Sequence, residues 1–133
     1  MNPHDLAALL PNLAELLISP NMTEEDAAKS MQFLGPFNQC VLGVVHFSGQ
    51  TPWERHPGGD ELLHVLDGAV SLTILTDSEP IRATVSAGSI FVVPKGLWHR
   101  QFAESGVKVL FATPSEGNEN SWAEDPRSDV GAA

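Results

Sequence analysis

Basic residues are scarce in this chain. Seven Lys and Arg stand against seventeen Asp and Glu, a formal net charge of −10. So acidic a surface repels phosphate backbones and anionic headgroups, which argues against nucleic acid and membrane surfaces as partners. Cysteine is almost absent. Cys40 stands alone, so no disulfide can form within the chain and no cysteine-rich metal knot is available. A reducing cytoplasm is the expected compartment. Cys40 sits in the apolar run Cys40–Val45 and reads as a strand residue rather than a nucleophile. No apolar run approaches the ~18 residues needed to cross a bilayer. The start, Met1–Asp5, contains no Lys or Arg, and a secretory signal is therefore not expected. Internal repeats and low-complexity tracts are also missing.

What remains is an ordinary globular composition, 42% hydrophobic and 18% charged over 133 residues. That suits one domain with one core. Residues 1–36 read as a helical segment that packs on the rest. Asn2, Pro3 and Asp5 suit N-cap, N1 and N3, and Leu6, Leu9, Leu10, Leu13, Leu16 and Leu17 recur at helical spacing. Pro11 should kink or divide that helix. Thr23–Asp26 resembles a capping box opening a second helix, which Gly35–Pro36 should stop.

Residues 37–114 have a different texture. Cys40–Phe47, Glu61–Asp67, Val70–Ile74, Ser89–Val93 and Val107–Ala112 read as short strands. Turn signals separate them at Pro57–Asp60, Asp67–Gly68, Asp77–Pro80, Ala87–Gly88 and Ser105–Gly106. Many short strands at such spacing predict an all-β antiparallel sandwich or barrel with short N-terminal helices. Residues 115–133 form a polar tail expected to run over the surface or hang loose.

Polar residues then single themselves out. Glu54 and His56 lie two apart, so on a strand they share a face. Glu61 opens the next strand after a tight turn. If it faces inward, Leu63 faces inward with it and His64 faces away. Far downstream, the turn Pro94–Trp98 delivers His99 to a new strand, with Gln101 on the same face. Two imidazoles and two carboxylates converging in a barrel would make a mixed nitrogen and oxygen site. Such donors suit Fe, Mn, Ni, Co or Zn as a divalent ion. The bland alternative is a hydrogen-bonded polar cluster that pins loops together. Phe91, Leu63 and Gln101 are expected to line the pocket. Trp53 and Trp98 flank it and read as packing residues. His46 is undecided, and His4 should be exposed.

The spacing of these residues resembles the cupin family. Its first motif, G-x5-H-x-H-x3–4-E-x6-G, runs through Glu54, His56, Glu61 and Gly68. Its second, G-x5-P-x-G-x2-H-x3-N, runs through Gly88, Pro94, Gly96 and His99. The departures are Glu54 at the first histidine, Gly49 slightly out of register with the opening glycine, and Ala103 at the final asparagine. The stretch Trp53–Glu61 is similar to a subgroup of small bacterial cupins with the signature W-E-x-H-P-x-G-D-E. The resemblance implies a jelly-roll β-barrel in which His56, Glu61 and His99 hold a metal ion. Glu54 becomes a fourth ligand, a carboxylate that orients an imidazole, a general base, or a plain solvated strand residue.

The expected function is that of a metal-dependent enzyme on a small organic substrate, dioxygenase-like or isomerase-like. The alternative is a non-catalytic cupin that binds or senses a small ligand. A homodimer is the assembly the resemblance implies.

Overall fold

The computed structural model describes residues 1–128. The N-terminal segment departs from the helical expectation. Its first helix, α1, covers only Leu6–Leu9, and Asp5 rather than Asn2 caps it by accepting a hydrogen bond from the Ala8 amide. Pro11 lies in a 3-10 turn, Leu10–Asn12, which ends the helical run. Leu16–Ile18 form β1 and Met31–Phe37 form β2. The leucine spacing is equally compatible with a buried strand over three residues, and tertiary pairing decides for the strand. α2, Glu24–Ser30, is capped by the Thr23 hydroxyl as its capping box predicts. It stops at Ser30, and Gly35 and Pro36 lie inside β2. A register shift between Phe33 and Gly35 accommodates them on this edge strand.

The barrel strands follow: β3 (Cys40–Gln50), β4 (Trp53–Arg55), β5 (Glu61–Asp67), β6 (Ala69–Ile74), β7 (Ile81–Ser86), β8 (Ile90–Val93) and β9 (His99–Pro114). β10 (Glu119–Ser121) follows, inside the polar segment expected to run over the surface or hang loose. β7 carries no clear alternation and is not legible from the sequence.

β9 organises the whole. Its first half pairs with β6 and β4, and its second half with β3 and β5. No turn forms at Ser105–Gly106. Instead the register jumps between Phe47 opposite Val107 and Gly49 opposite Ala103, so extra residues of β9 bulge out and bend the strand from one layer to the other. The layers are β2–β3–β9–β5–β8 and β7–β6–β9–β4–β10, the arrangement of a jelly roll. Between them, Phe47, Leu63, Val65, Leu72, Ile74 and Val109 form the core. Glycine is required at Gly43 because the ring of its cross-strand partner Phe111 lies over it, and a Cβ would run into that ring.

The N-terminal segment is fastened to the outside of β3. The His46 Nδ1–H donates to the Leu13 carbonyl at 3.2 Å, and Glu15 lies 3.5 Å from Nε2 and accepts from Ser48. His46 thus faces away from the barrel interior. Val44, on the same face, is fully buried.

Candidate metal centre

Three pieces of backbone place the four members of the polar constellation: β4 and the residue after it carry Glu54 and His56, β5 carries Glu61 and β9 carries His99. β4 is short because Pro52 and Pro57 bracket it, and it lies antiparallel to the start of β9 with Glu54 opposite His99. The turn after His56 is tied down twice: the Gly96 amide donates to the His56 carbonyl at 3.1 Å, and the Lys95 amide to Asp60 Oδ1 at 2.8 Å. These bonds draw the Pro94–Leu97 turn against the β4–β5 turn, which brings the two histidines to the same end of the barrel. Their ring centroids are 5.1 Å apart. Two cation–π contacts cross behind the site, Arg55 over Trp98 at 4.8 Å and Arg100 over Trp53 at 4.3 Å. They lock β4 to β9 from the outside.

Glu54, His56, Glu61 and His99 each offer one donor atom, and all four atoms lie within 4.8 Å of one another. His99 Nε2 is 3.1 Å from Glu61 Oε1, and His56 Nε2 is 3.4 Å from Glu61 Oε2. Glu54 Oε2 is 4.0 Å from His56 Nε2 and 3.9 Å from His99 Nε2. An ion with bonds of about 2.1 Å needs donors roughly 3.0–4.2 Å apart, and these separations match.

The tautomers point the same way. The His56 Nδ1–H donates to Asn118 Oδ1 at 2.8 Å, and the His99 Nδ1–H donates to the Leu97 carbonyl at 3.0 Å. Both rings therefore turn an Nε2 lone pair toward the carboxylates. Lone pairs facing lone pairs repel unless a proton or a cation sits among them. His56 Nε2 is buried and has no hydrogen-bond partner. An orphaned imidazole nitrogen in such a cluster is what a metal site without its ion should display.

The carboxylates are held in opposite electrostatic states. Burial works to raise Glu61, but its contacts with His56 and His99 and their charge outweigh burial and bring it down to about 2. The Thr113 hydroxyl also donates to its Oε2 at 2.5 Å. Glu54 is raised to about 7, first by burial and then by the charge of Glu61. It is nonetheless the most accessible of the four, with its side chain 30% exposed. His56 is raised: burial lowers it, and Glu61, Asn118 and Glu54 more than offset that. One carboxylate that stays ionised around neutral pH and one that titrates near neutrality therefore share a site.

The other sequence candidates lie outside the cluster of four donors. Leu63 belongs to the barrel core and Phe91 packs against it. Gln101 is buried on the His99 face. His64 sits on the opposite face of β5, half-buried, and His4 is exposed. Lys95 is exposed and Cys40 half-buried with a free thiol. Asn118 and Thr113 escape sequence reasoning. Asn118 lies in the polar tail, 62 residues from the imidazole it orients, and nothing in its local sequence marks it.

Comparison with known proteins fits this geometry. A family model described as a Cupin domain matches residues 43–113, more than half of the chain. An acireductone dioxygenase from Rhodopseudomonas palustris is 43% identical over 122 residues, covering 79% of this chain and 72% of that one. An auxin-binding protein from Prunus persica is 35% identical over 74 residues, or 52% of this chain. The chain spans only 35% of that relative's length. Among solved structures, a cupin-2 domain containing protein from Shewanella frigidimarina superposes with a TM-score of 0.54. It is 26% identical, and the overlap covers 64% of this chain and 79% of that one.

Proposed function

The chain belongs to the cupin family, and from that premise we propose that it is a metal-dependent enzyme acting on a small organic molecule. His56, Glu61 and His99 hold a divalent ion, and Glu54 is the fourth donor or a proton carrier. The carrying observation is the pair of imidazoles whose Nδ1–H groups are both engaged, leaving two Nε2 atoms and two carboxylates turned on one point. Bound there, the ion would supply Lewis acidity and open positions for oxygen ligands.

The chain's own residues supply the rest. Asn118 and the Leu97 carbonyl fix the ring orientations. Glu61 brings a fixed negative charge. Glu54, titrating at about 7 before an ion binds, is the group suited to holding or moving a proton. The similarity to an acireductone dioxygenase supports a small-molecule substrate and a dioxygenase-like reaction. An isomerase-like reaction would use the same donors.

A second reading follows from the number of donors. Four protein ligands could close a tetrahedral shell and leave no position for substrate, which would suit a binding or sensing cupin. Visible absorption of the Co(II)-loaded protein separates the two. Weak bands of five- or six-coordination that shift on adding azide support the enzyme. Intense tetrahedral bands that azide leaves unchanged contradict it.

Assembly as a homodimer is part of the proposal. Ile90 and Val92 on β8 are 61% and 51% exposed on one sheet face, which favours pairing of two copies there. Light scattering gives the mass directly. A lone free thiol suits the reducing cytoplasm we assign to the protein.

A further inference from the structure

We propose that the side-chain carbonyl of Gln101 is the hydrogen-bond anchor for a donor group on the molecule taken up at the metal centre. The inference rests on the metal-binding reading above.

Gln101 lies two residues beyond His99 on β9. His99, Gln101 and Ala103 are buried while Phe102 and Glu104 between and beyond them are exposed, so the three share the inward face. Gln101 is only 7% exposed. Its backbone is held from both directions. Its amide donates to the Thr51 hydroxyl at 2.9 Å, and its carbonyl accepts from the Thr51 amide at 2.9 Å and from Gln50 Nε2 at 2.9 Å. The residue is thus fixed at its root. At its tip the opposite holds: Oε1 is buried and has no hydrogen-bond partner.

Its neighbours on β6 offer none. Leu72 is the cross-strand neighbour of Gln101 and Ile74 that of His99, and both are fully buried. A buried carbonyl without a donor destabilises the fold, and an apolar residue of equal size would remove that cost. A polar group kept at a cost on a rigid strand, next to a metal ligand on the same face, is the pattern of a group reserved for a ligand. The matching ligand chelates through oxygen and carries one hydroxyl or N–H, and the rest of it is small and apolar.

Two measurements test this. The first uses the metal-free protein and thermal unfolding of wild type and Gln101→Met. If Oε1 is unpartnered, the variant melts at the same temperature or higher. A variant that melts lower, or does not fold, means the amide is already satisfied, by a buried water for instance, and overturns the inference.

The second uses Co(II)-loaded protein titrated with acetohydroxamate, an oxygen chelator with an N–H, and with its N-methyl counterpart, which lacks it. Wild type should prefer acetohydroxamate by about tenfold, the worth of one hydrogen bond, and Gln101→Met should lose that preference. Equal preference in both proteins, or none in wild type, overturns the inference alone. A wild type that takes up no Co(II) overturns the metal reading and this inference with it.

Discussion

Replacing Glu54 by glutamine removes a charge that the metal-free site holds at a disadvantage. Burial and the neighbouring Glu61 raise Glu54 from 4.5 to about 7, so the folded protein holds its proton more tightly than the unfolded chain does. The stability this provides is fully present below pH 4.5 and is lost as pH rises through 7. Each pH unit across that window costs up to about 1.4 kcal/mol. Because the side chain is 30% exposed, solvent screens part of this. Ionised Glu54 therefore costs the metal-free fold about 1–3 kcal/mol at pH 8, several degrees in melting temperature. The neutral amide of the Glu54→Gln variant carries no such charge. Thermal unfolding of chelator-treated protein at pH 5 and pH 8 should show wild type losing that much more stability than Glu54→Gln over the interval. Saturating divalent ion should abolish the difference in wild type, because the cation takes the place of the proton. Two proteins whose stabilities fall in parallel between pH 5 and 8 would refute the assignment of a raised Glu54.

Asn118→Ala frees the His56 ring to rotate and should weaken metal binding about 10- to 100-fold, read by competition with a fluorescent chelator. Thr113→Val removes the hydroxyl from Glu61 and should cost about 1–2 kcal/mol in urea unfolding. Gly43→Ala drives a methyl group into the Phe111 ring and should cost about 1–3 kcal/mol in the same assay. Glu61, lowered to about 2 in the fold, contributes stability that is present above pH 4.5 and lost as pH falls toward 2. Glu61→Gln should therefore flatten the acid limb of the metal-free unfolding profile.

The site was legible in the sequence because its donors sit in local patterns. Glu54 and His56 are two apart on a strand, Glu61 follows a glycine turn, and His99 follows Pro94 and Gly96. Strand period puts Glu54 and His56 on one face, and turn chemistry starts the strands that carry Glu61 and His99, while the reading of all four as facing one cavity leans on the cupin resemblance. The barrel strands β3, β5, β6 and β8 were legible for the same reason, since each alternates or is cleanly bounded. The N-terminal segment departs from its local helical pattern where non-local forces act. Leu16 packs in the core as part of a strand because β3 offers it a parallel partner, a pairing no local pattern announces. Gly106 resembles a turn residue, yet it serves the bend of β9 and the close approach of Glu15 and His46, where a Cβ would collide. Asn118 is the clearest case. Its role depends on β10 docking beside β4, and the polar composition of residues 115–121 hides that pairing.

Whether Glu54, His56, Glu61 and His99 hold a metal ion is read from metal content. The protein should be purified without a metal-binding tag and its ions counted by inductively coupled plasma mass spectrometry, beside a His56→Ala/His99→Ala double variant. Wild type should carry close to one divalent ion per chain and the variant none. Wild type that stays empty after exposure to Fe, Mn, Ni, Co and Zn in turn, or a variant that keeps its ion, would contradict it.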